Sequence, residues 1–294
     1  MSTYFISGAG GQLGRAVINH LLTTFKVQPK DIIAGTRDIA KLDDLKAKGV
    51  QVRAADFEDE AGLAKALAGA SHFLIISTNA LGTGQREKQH LVAVAAAEKA
   101  GVGHVIYTSM PKPETSAVTF APDHLHTEQA IAASKIPAWT ILRNNWYFEN
   151  LFMGLPMALK SGTQYTSAGN GKIGQIGRDD LALAAANALV NAKPAKTTYT
   201  LSGTKAYTTE EIAALVSKAT GKPLAVVQVP VEGLIQGMTS HGVPEGMAKM
   251  IASFDVNTAQ GGLEGDAKDF TALTGKQPGS FEDWLKNNAA AFTA

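Results

Sequence analysis

The chain contains no cysteine among its 294 residues, and charged residues make up only 18% of it. The absence of cysteine excludes disulfides, thiol nucleophiles and cysteine-based metal sites. Lysine and arginine number 27 against 26 aspartates and glutamates, so the formal net charge is +1, and no basic block stands out. Binding driven by phosphate neutralisation is therefore disfavoured, and we expect no nucleic-acid partner.

Long apolar runs are also missing. The longest, residues 181–190, contains Asn187 and is too short to span a bilayer. The first residues lack the basic-then-apolar pattern of a signal peptide. We therefore expect a cytoplasmic protein with no membrane partner. Hydrophobic residues make up 45% of the chain, which is enough for a sizeable core.

Short apolar runs alternate with segments of helical spacing. Six of these runs predict strands, at residues 4–7, 31–34, 50–55, 73–76, 105–108 and 139–142. Runs without apolar–polar alternation suit strands that are covered on both faces. Strand–helix alternation predicts an α/β fold in which a doubly wound parallel sheet has right-handed crossovers, the Rossmann arrangement.

The pattern loosens after Asn145. We interpret residues 1–145 as a dinucleotide-binding domain whose sheet is rejoined by about residues 173–203. Residues 146–172 and 204–294 are then a smaller α/β lobe for the substrate. Thr208 or Thr209 is expected to cap a helix over 210–220 that stops at Gly221.

A glycine-rich turn follows the first predicted strand. Gly8, Gly11 and Gly14 stand in the spacing G-x-x-G-x-x-G between a strand and a helix. Glycine permits a sharp bend and a close approach of backbone to a pyrophosphate, and the free N–H groups of the helix start hold anionic phosphates. The context predicts a dinucleotide site, and the alternative is a flexible turn without a ligand.

The end of the second predicted strand bears on the choice of cofactor. An NAD site would place an acidic side chain there, whereas this chain has Gly35-Thr36-Arg37. Arg37 can form a forked ion pair with a 2′-phosphate, so NADP(H) is favoured, and the alternative is a solvated surface cation. Asp38 is better interpreted as a helix cap, and Asp56 is either a contact of the adenine amino group or another cap.

Several segments together resemble the NmrA-like atypical short-chain dehydrogenases. They are Gly8–Gly14, Thr36-Arg37, residues 52–56, residues 106–109, residues 142–147, residues 168–172 and Gly261-Gly262. The resemblance covers nearly the whole chain and is strongest toward the quinone-reductase branch, with triphenylmethane reductases nearby. One departure is Gly10, where relatives usually carry threonine, so one phosphate contact is weakened.

The resemblance implies positions for the cofactor. The pyrophosphate would lie on Gly10, Gly11, Gln12 and Leu13, with Arg37 at the 2′-phosphate. The groups expected around the ribose and nicotinamide are Ser77, Thr78, Asn79, Gln85, Thr108 and Ser109. Asn145, Trp146 and Tyr147 would flank the ring and the acceptor, and Asn145 and Tyr147 are candidate catalytic residues.

The Y-x-x-x-K pair of ordinary short-chain dehydrogenases is absent. In its place stand His124 and Glu128, four residues apart on one helix face, although Glu128 cannot act as the missing cation. His124 is a candidate proton source near neutral pH, and the alternative is a packing residue. His126 faces elsewhere on that helix, so no metal site is expected.

The missing pair bears on the reaction. Alcohol–ketone exchange needs a strong acid or base, whereas hydride addition to a quinone gives a delocalised oxyanion that water can protonate. We therefore favour an NADPH-dependent oxidoreductase that transfers a hydride to a small quinone or similar planar electrophile. The alternative is a non-catalytic NADP(H)-binding sensor with a protein partner. The sequence leaves open whether the chain is a monomer or a homodimer.

Overall fold

The computed structural model describes residues 2–80, 82, 84–191 and 193–293. Their strands are β1 (Tyr4–Ile6), β2 (Ile32–Thr36), β3 (Gln51–Ala54), β4 (His72–Ile75), β5 (His104–Ser109), β6 (Ala138–Asn144), β7 (Thr163–Thr166), β8 (Lys196–Leu201) and β9 (Ala225–Gln228). Seven of them form one parallel sheet in the order β3-β2-β1-β4-β5-β6-β8. The predicted parallel sheet is confirmed.

Helices cover both faces of this sheet. The α-helices are α1 (Gln12–Thr23), α2 (Asp43–Ala47), α3 (Glu60–Ala66), α4 (Gln85–Lys99), α5 (Ala121–Ala133), α6 (Leu155–Ser161), α7 (Arg178–Val190), α8 (Thr209–Thr220), α9 (Val231–Ser240), α10 (Glu245–Ala259), α11 (Lys268–Thr274) and α12 (Phe281–Asn288). Apolar side chains of α1, α7 and α11 pack on one face, and those of α3, α4 and α5 pack on the other. The central strands are therefore covered on both sides, as in β5, which is buried over its whole length.

The chain changes direction across the sheet between β1 and β4. It runs outward through β2 and β3 and then returns to place β4 beside β1. Ser7 joins the two strands where they separate, because its hydroxyl donates to the carbonyl of Leu74 and accepts from the N–H of Ile76, both at 2.9 Å. Doubly wound sheets bind ligands in the crevice that opens at this switch point.

The C-terminal part builds a smaller unit beside the sheet. Strands β7 and β9 pair in parallel as a separate two-stranded sheet, and α6, α8 and α12 surround a third apolar cluster. Thr208 caps α8 through a reciprocal capping box with Glu211, and Gly221 ends it with φ +70°, so the predicted cap and stop are confirmed.

The proposed division into domains stays an interpretation. Strand β8 lies within residues 173–203 and pairs with β6, in line with it. Helix α11 lies within the segment 204–294, yet its Phe270 is buried in the core of the large sheet. No helix in the described part of the chain is long and apolar enough to cross a bilayer. The cytoplasmic location stays a prediction.

Candidate active site

The glycine turn packs closely against the first residues of α1. Gly8 has φ +60°, a conformation that side chains rarely adopt. A Cβ on Gly14 would lie 2.4 Å from the carbonyl oxygen of Gly8 and 2.9 Å from the Cα of Ala9. Only glycine fits there, because both neighbours are backbone atoms that cannot move independently.

The start of α1 offers unpaired donors. The N–H groups of Gly10, Gln12, Leu13 and Gly14 donate to no acceptor in the described residues. Gly11 caps the helix without a side-chain hydrogen bond, and the first turn contains no acidic residue. These donors, together with the positive end of the helix dipole, suit an anionic diphosphate.

The polar residues after β2 and β3 have different local roles. Arg37 is exposed directly after β2. Asp38 accepts a hydrogen bond from the N–H of Ala40 at 3.2 Å, which confirms it as a cap. Asp56 accepts from the N–H of Glu58 at 3.0 Å within the turn, and Asp59 caps α3 instead. The adenine contact of Asp56 stays a prediction.

The ends of β4 and β5 are joined by hydroxyl groups. Thr108 Oγ1 accepts from the N–H of Ser77 at 2.9 Å and donates to Ser77 Oγ at 3.4 Å. The buried Thr78 Oγ1 has no hydrogen-bond partner among the described residues, and Asn79 is exposed. Since β4 adjoins β1, these groups lie at the same edge of the sheet as the glycine turn.

Gln85 begins α4 and reaches toward the turn after β3. Its Nε2 donates to Glu58 Oε1 at 3.1 Å, and Gln89 Nε2 donates to the same oxygen at 3.0 Å. These two hydrogen bonds, Gln89 first, lower the pKa of the Glu58 carboxyl. The expected approach of Gln85 to the cofactor stays a prediction.

A buried network surrounds His124. The N–H of Thr78 donates to His90 Nε2 at 3.0 Å, so the proton of the neutral His90 ring sits on Nδ1, 3.0 Å from Thr127 Oγ1. Tyr107 then donates its hydroxyl proton to His124 Nδ1 at 2.7 Å. This assignment from the hydrogen-bond network leaves the proton of His124 on Nε2.

Both histidine rings are neutral near pH 7. Burial, reinforced by the charge of Arg86, lowers the pKa of His90 to about 3. Burial, together with the nearby His90 and Arg86, lowers the pKa of His124 well below its ordinary value. His124 therefore offers a hydrogen bond rather than an ionised acid, and its part in catalysis stays a prediction.

Glu128 is held by a cation from the neighbouring strand rather than from its own helix. Arg143 on β6 donates Nη2 to Glu128 Oε2 at 2.7 Å and Nε to Oε1 at 3.0 Å. Ser109 donates to Glu128 Oε1 at 2.5 Å. The Glu128 carboxylate is thus neutralised between β5 and β6, and Ser109, expected under the nicotinamide, is tied into this cluster.

The residues after β6 join the sheet to the smaller unit. Asn145 is 1% exposed, and its Nδ2 donates to Ser202 Oγ at 3.0 Å and to the carbonyl of Leu263 at 2.9 Å. The hydroxyl of Tyr147 lies 3.5 Å from Asn144 Nδ2, and burial raises its pKa. The catalytic roles of Asn145 and Tyr147 stay predictions.

Trp146 belongs to an aromatic wall built from distant segments. Its ring packs edge-on against Phe254 of α10 at a centroid distance of 4.7 Å, and Phe254 contacts Phe120 at 5.9 Å. Phe120 in turn contacts the ring of His124 at 5.9 Å. These aromatic side chains form a lining on which a flat molecule can stack.

Sequence reasoning missed three members of this region. Arg143 stood within the segment 142–147 that resembles the family but was given no role, and no local signal marked Phe254 or Arg86. No group of three or more metal-binding side chains occurs among the described residues. His126 was expected on a different face of the helix from His124. Its Nδ1 lies 3.1 Å from Glu87 Oε2.

The comparison with family models decides the relationship. The model of the NmrA-like family matches residues 1–285. The chain belongs to the NmrA-like family. The predicted resemblance is thereby confirmed over nearly the whole sequence.

Characterised proteins resemble this NmrA-like chain along almost all of its length. It is 39% identical to quinone oxidoreductase 2 of Escherichia coli (strain K12), with 92% of this chain and 93% of that protein covered. It is 28% identical to an NAD(P)H azoreductase of Xenophilus azovorans, with 98% and 99% covered.

Solved structures agree with these sequence relatives. The NADPH-dependent quinone oxidoreductase of Escherichia coli in complex with NADPH superposes with a TM-score of 0.91 at 37% identity, covering 97% of this chain and 99% of that one. The Citrobacter sp. triphenylmethane reductase in complex with NADP(H) superposes with a TM-score of 0.88 at 34% identity, covering 98% and 100%.

Proposed function

We propose that this NmrA-like protein is an NADPH-dependent oxidoreductase that transfers a hydride to a quinone or a similar planar electrophile. The observation that carries this proposal is the set of unpaired N–H groups at the start of α1, placed beside the β1–β4 switch point. The relatives named above, which include a quinone oxidoreductase bound to NADPH and a dye reductase bound to NADP(H), support the same activity.

The residues present fit NADPH. Gly14 leaves the backbone of the turn accessible, and a Cβ there would collide with neighbouring backbone atoms. The N–H groups of the turn have no acceptor among the described residues and are free to bind an anion. The diphosphate would be held by Gly10, Gln12 and Leu13, and the 2′-phosphate by Arg37. When bound, NADPH supplies the hydride, and a quinone that gains this hydride and one proton from water becomes the hydroquinone while NADP⁺ remains.

The surrounding protein chiefly orients the acceptor. Hydride addition to a quinone gives a delocalised aromatic oxyanion, so a strong acid such as the missing tyrosine–lysine pair is not needed. Trp146 and Phe254 offer flat surfaces for stacking, and the Nε2–H of the neutral His124 is a hydrogen-bond donor for an oxyanion. Asn145 fixes the loop that carries Trp146.

A direct assay tests the proposal. Purified protein is mixed with NADPH and 1,4-benzoquinone, and the loss of the reduced nicotinamide absorbance is followed against heat-denatured protein. We expect oxidation clearly faster than the non-enzymatic reaction and slower turnover with NADH. Tight NADPH binding by calorimetry without any oxidation would instead favour the non-catalytic sensor.

A further inference from the structure

Arg86, in the first turn of α4, is a buried arginine without an ion pair. Arg86 is only 6% exposed to solvent. Its guanidinium donates no hydrogen bond to any described residue and forms no salt bridge with a described carboxylate, and its Nε is fully buried without a partner. A buried cation in this state is costly unless a partner pairs with it.

The immediate neighbours leave the N–H groups of Arg86 free. Its Cζ lies 4.3 Å from the centroid of the Phe120 ring, a cation–π contact that does not use the N–H groups at the guanidinium edge. Asp123 favours the charged form electrostatically but makes no ion pair with it. Since arginine stays protonated near neutral pH, the charged guanidinium of Arg86 keeps N–H donors without an acceptor among the described residues.

The position of Arg86 places this guanidinium beside the aromatic wall that contains Trp146. Phe120, on which the guanidinium rests, contacts both His124 and Phe254, and Phe254 contacts Trp146. The charge of Arg86 also reaches His90 and His124, whose pKa values it lowers. The guanidinium therefore belongs to the same aromatic wall on which a flat acceptor would stack.

We propose that Arg86 binds an anionic group of the acceptor, so that the preferred substrates are planar electrophiles carrying a sulfonate or carboxylate. This inference rests on the proposed function and narrows its substrate class. The guanidinium fork can give two parallel N–H donors to such an oxyanion, and the adjacent ring of the acceptor would lie against Phe120 or Trp146. A neutral quinone would leave the buried charge unpaired.

Two quinones with the same ring system test the assignment. The kcat/KM values for 1,4-naphthoquinone and 1,4-naphthoquinone-2-sulfonate are measured with the wild-type protein, Arg86→Gln and the control Lys88→Gln, an exposed cation on the same helix. We expect Arg86→Gln to reduce the sulfonate-to-neutral ratio of kcat/KM by about 10- to 100-fold, the range for a lost charge-assisted hydrogen bond. Lys88→Gln should leave the ratio unchanged.

Equal losses for both quinones in a folded Arg86→Gln protein would overturn the assignment. Weaker NADPH binding in that variant, with both quinones affected alike, would assign Arg86 to the coenzyme and also overturn it. Circular dichroism reports whether the variant folds.

A binding measurement on the wild-type protein needs neither a variant nor turnover. In the presence of NADP⁺, calorimetry should detect naphthalene-2-sulfonate and only much weaker naphthalene-2-sulfonamide. Equal or absent binding of the two would contradict the role of Arg86. If the protein bound the sulfonate but reduced no quinone, the proposed activity would be wrong, whereas the assignment of Arg86 to an anion-binding site would be retained.

Discussion

Arg37 is the residue whose charge we expect to distinguish the two coenzymes. It is exposed directly after β2, where an acidic residue would otherwise favour NAD. We expect Arg37→Ala to weaken NADPH binding by about tenfold or more, because a charge-assisted fork to the 2′-phosphate is lost. NADH lacks that phosphate, so its affinity should hardly change.

Titration calorimetry with both coenzymes measures the effect of Arg37→Ala. Lys99→Ala is a matched control, since Lys99 is an exposed cation at the far end of α4. A comparable loss for NADPH and NADH would place the Arg37 side chain elsewhere than at the 2′-phosphate.

Single residues also show which features of the candidate site could be predicted from the sequence. The geometry of the glycine turn and the exposed position of Arg37 after β2 could be predicted because both follow from local spacing next to a strand. The environment of His124 could not, because its hydrogen-bond partner Tyr107 comes from β5 and its neighbour His90 from α4. Arg86 shows no local signal, since only packing reveals that its guanidinium lacks a partner.

At the scale of elements, buried and exposed segments differed in how well they could be predicted. Apolar runs marked most of the six N-terminal strands, because strands covered on both faces need apolar side chains, whereas the edge strand β3 is exposed at both ends. Strand β7 reads Thr-Gln-Tyr-Thr and is half-exposed, so no apolar run marks it, and its partner β9 lies about sixty residues away. The contact of α10 with Trp146 is likewise long-range.

The cap of α8 gives a prediction for one element. Thr208 accepts from the N–H of Glu211, and Glu211 accepts from the N–H of Thr208. We expect Thr208→Ala to reduce the free energy of unfolding by about 1 kcal/mol, because a helix-start donor loses its acceptor. Urea unfolding measures this change. Thr115→Ala, at an exposed loop position, is the control, and an equal loss there would contradict a capping effect.

At the scale of the whole molecule, buried neutral histidines make stability depend on pH. Burial lowers the pKa of His90 to about 3 and, with the nearby His72, that of His104 to about 4, while His124 is also lowered. In the unfolded chain these rings gain protons below about pH 6.5, but the folded chain keeps them neutral. The unfolded state then binds more protons, so stability falls as pH falls.

We expect each of these histidines to lower the free energy of unfolding by up to about 1.4 kcal/mol for each pH unit below about pH 6. Asp123 and Asp180, whose pKa values burial raises, change the stability in the opposite direction. Urea unfolding at a series of pH values above the carboxyl range measures the slope. His104→Gln, remote from the glycine turn, should reduce this slope by the contribution of up to one proton per molecule. An unchanged slope would show that His104 binds its proton equally in the folded and unfolded states, against a lowered pKa in the fold.

The unfilled amides at the start of α1 also link this protein's abundance to its coenzyme. A ligand that binds only the native chain stabilises it by RT ln(1 + [L]/Kd), so saturation at a hundred times Kd adds about 2.7 kcal/mol. When the coenzyme is scarce, these N–H groups have no partner and the native state is less favoured. Degradation by cellular proteases would then follow the total supply of NADP(H), oxidised and reduced, and the quantity of the protein would rise and fall with that supply.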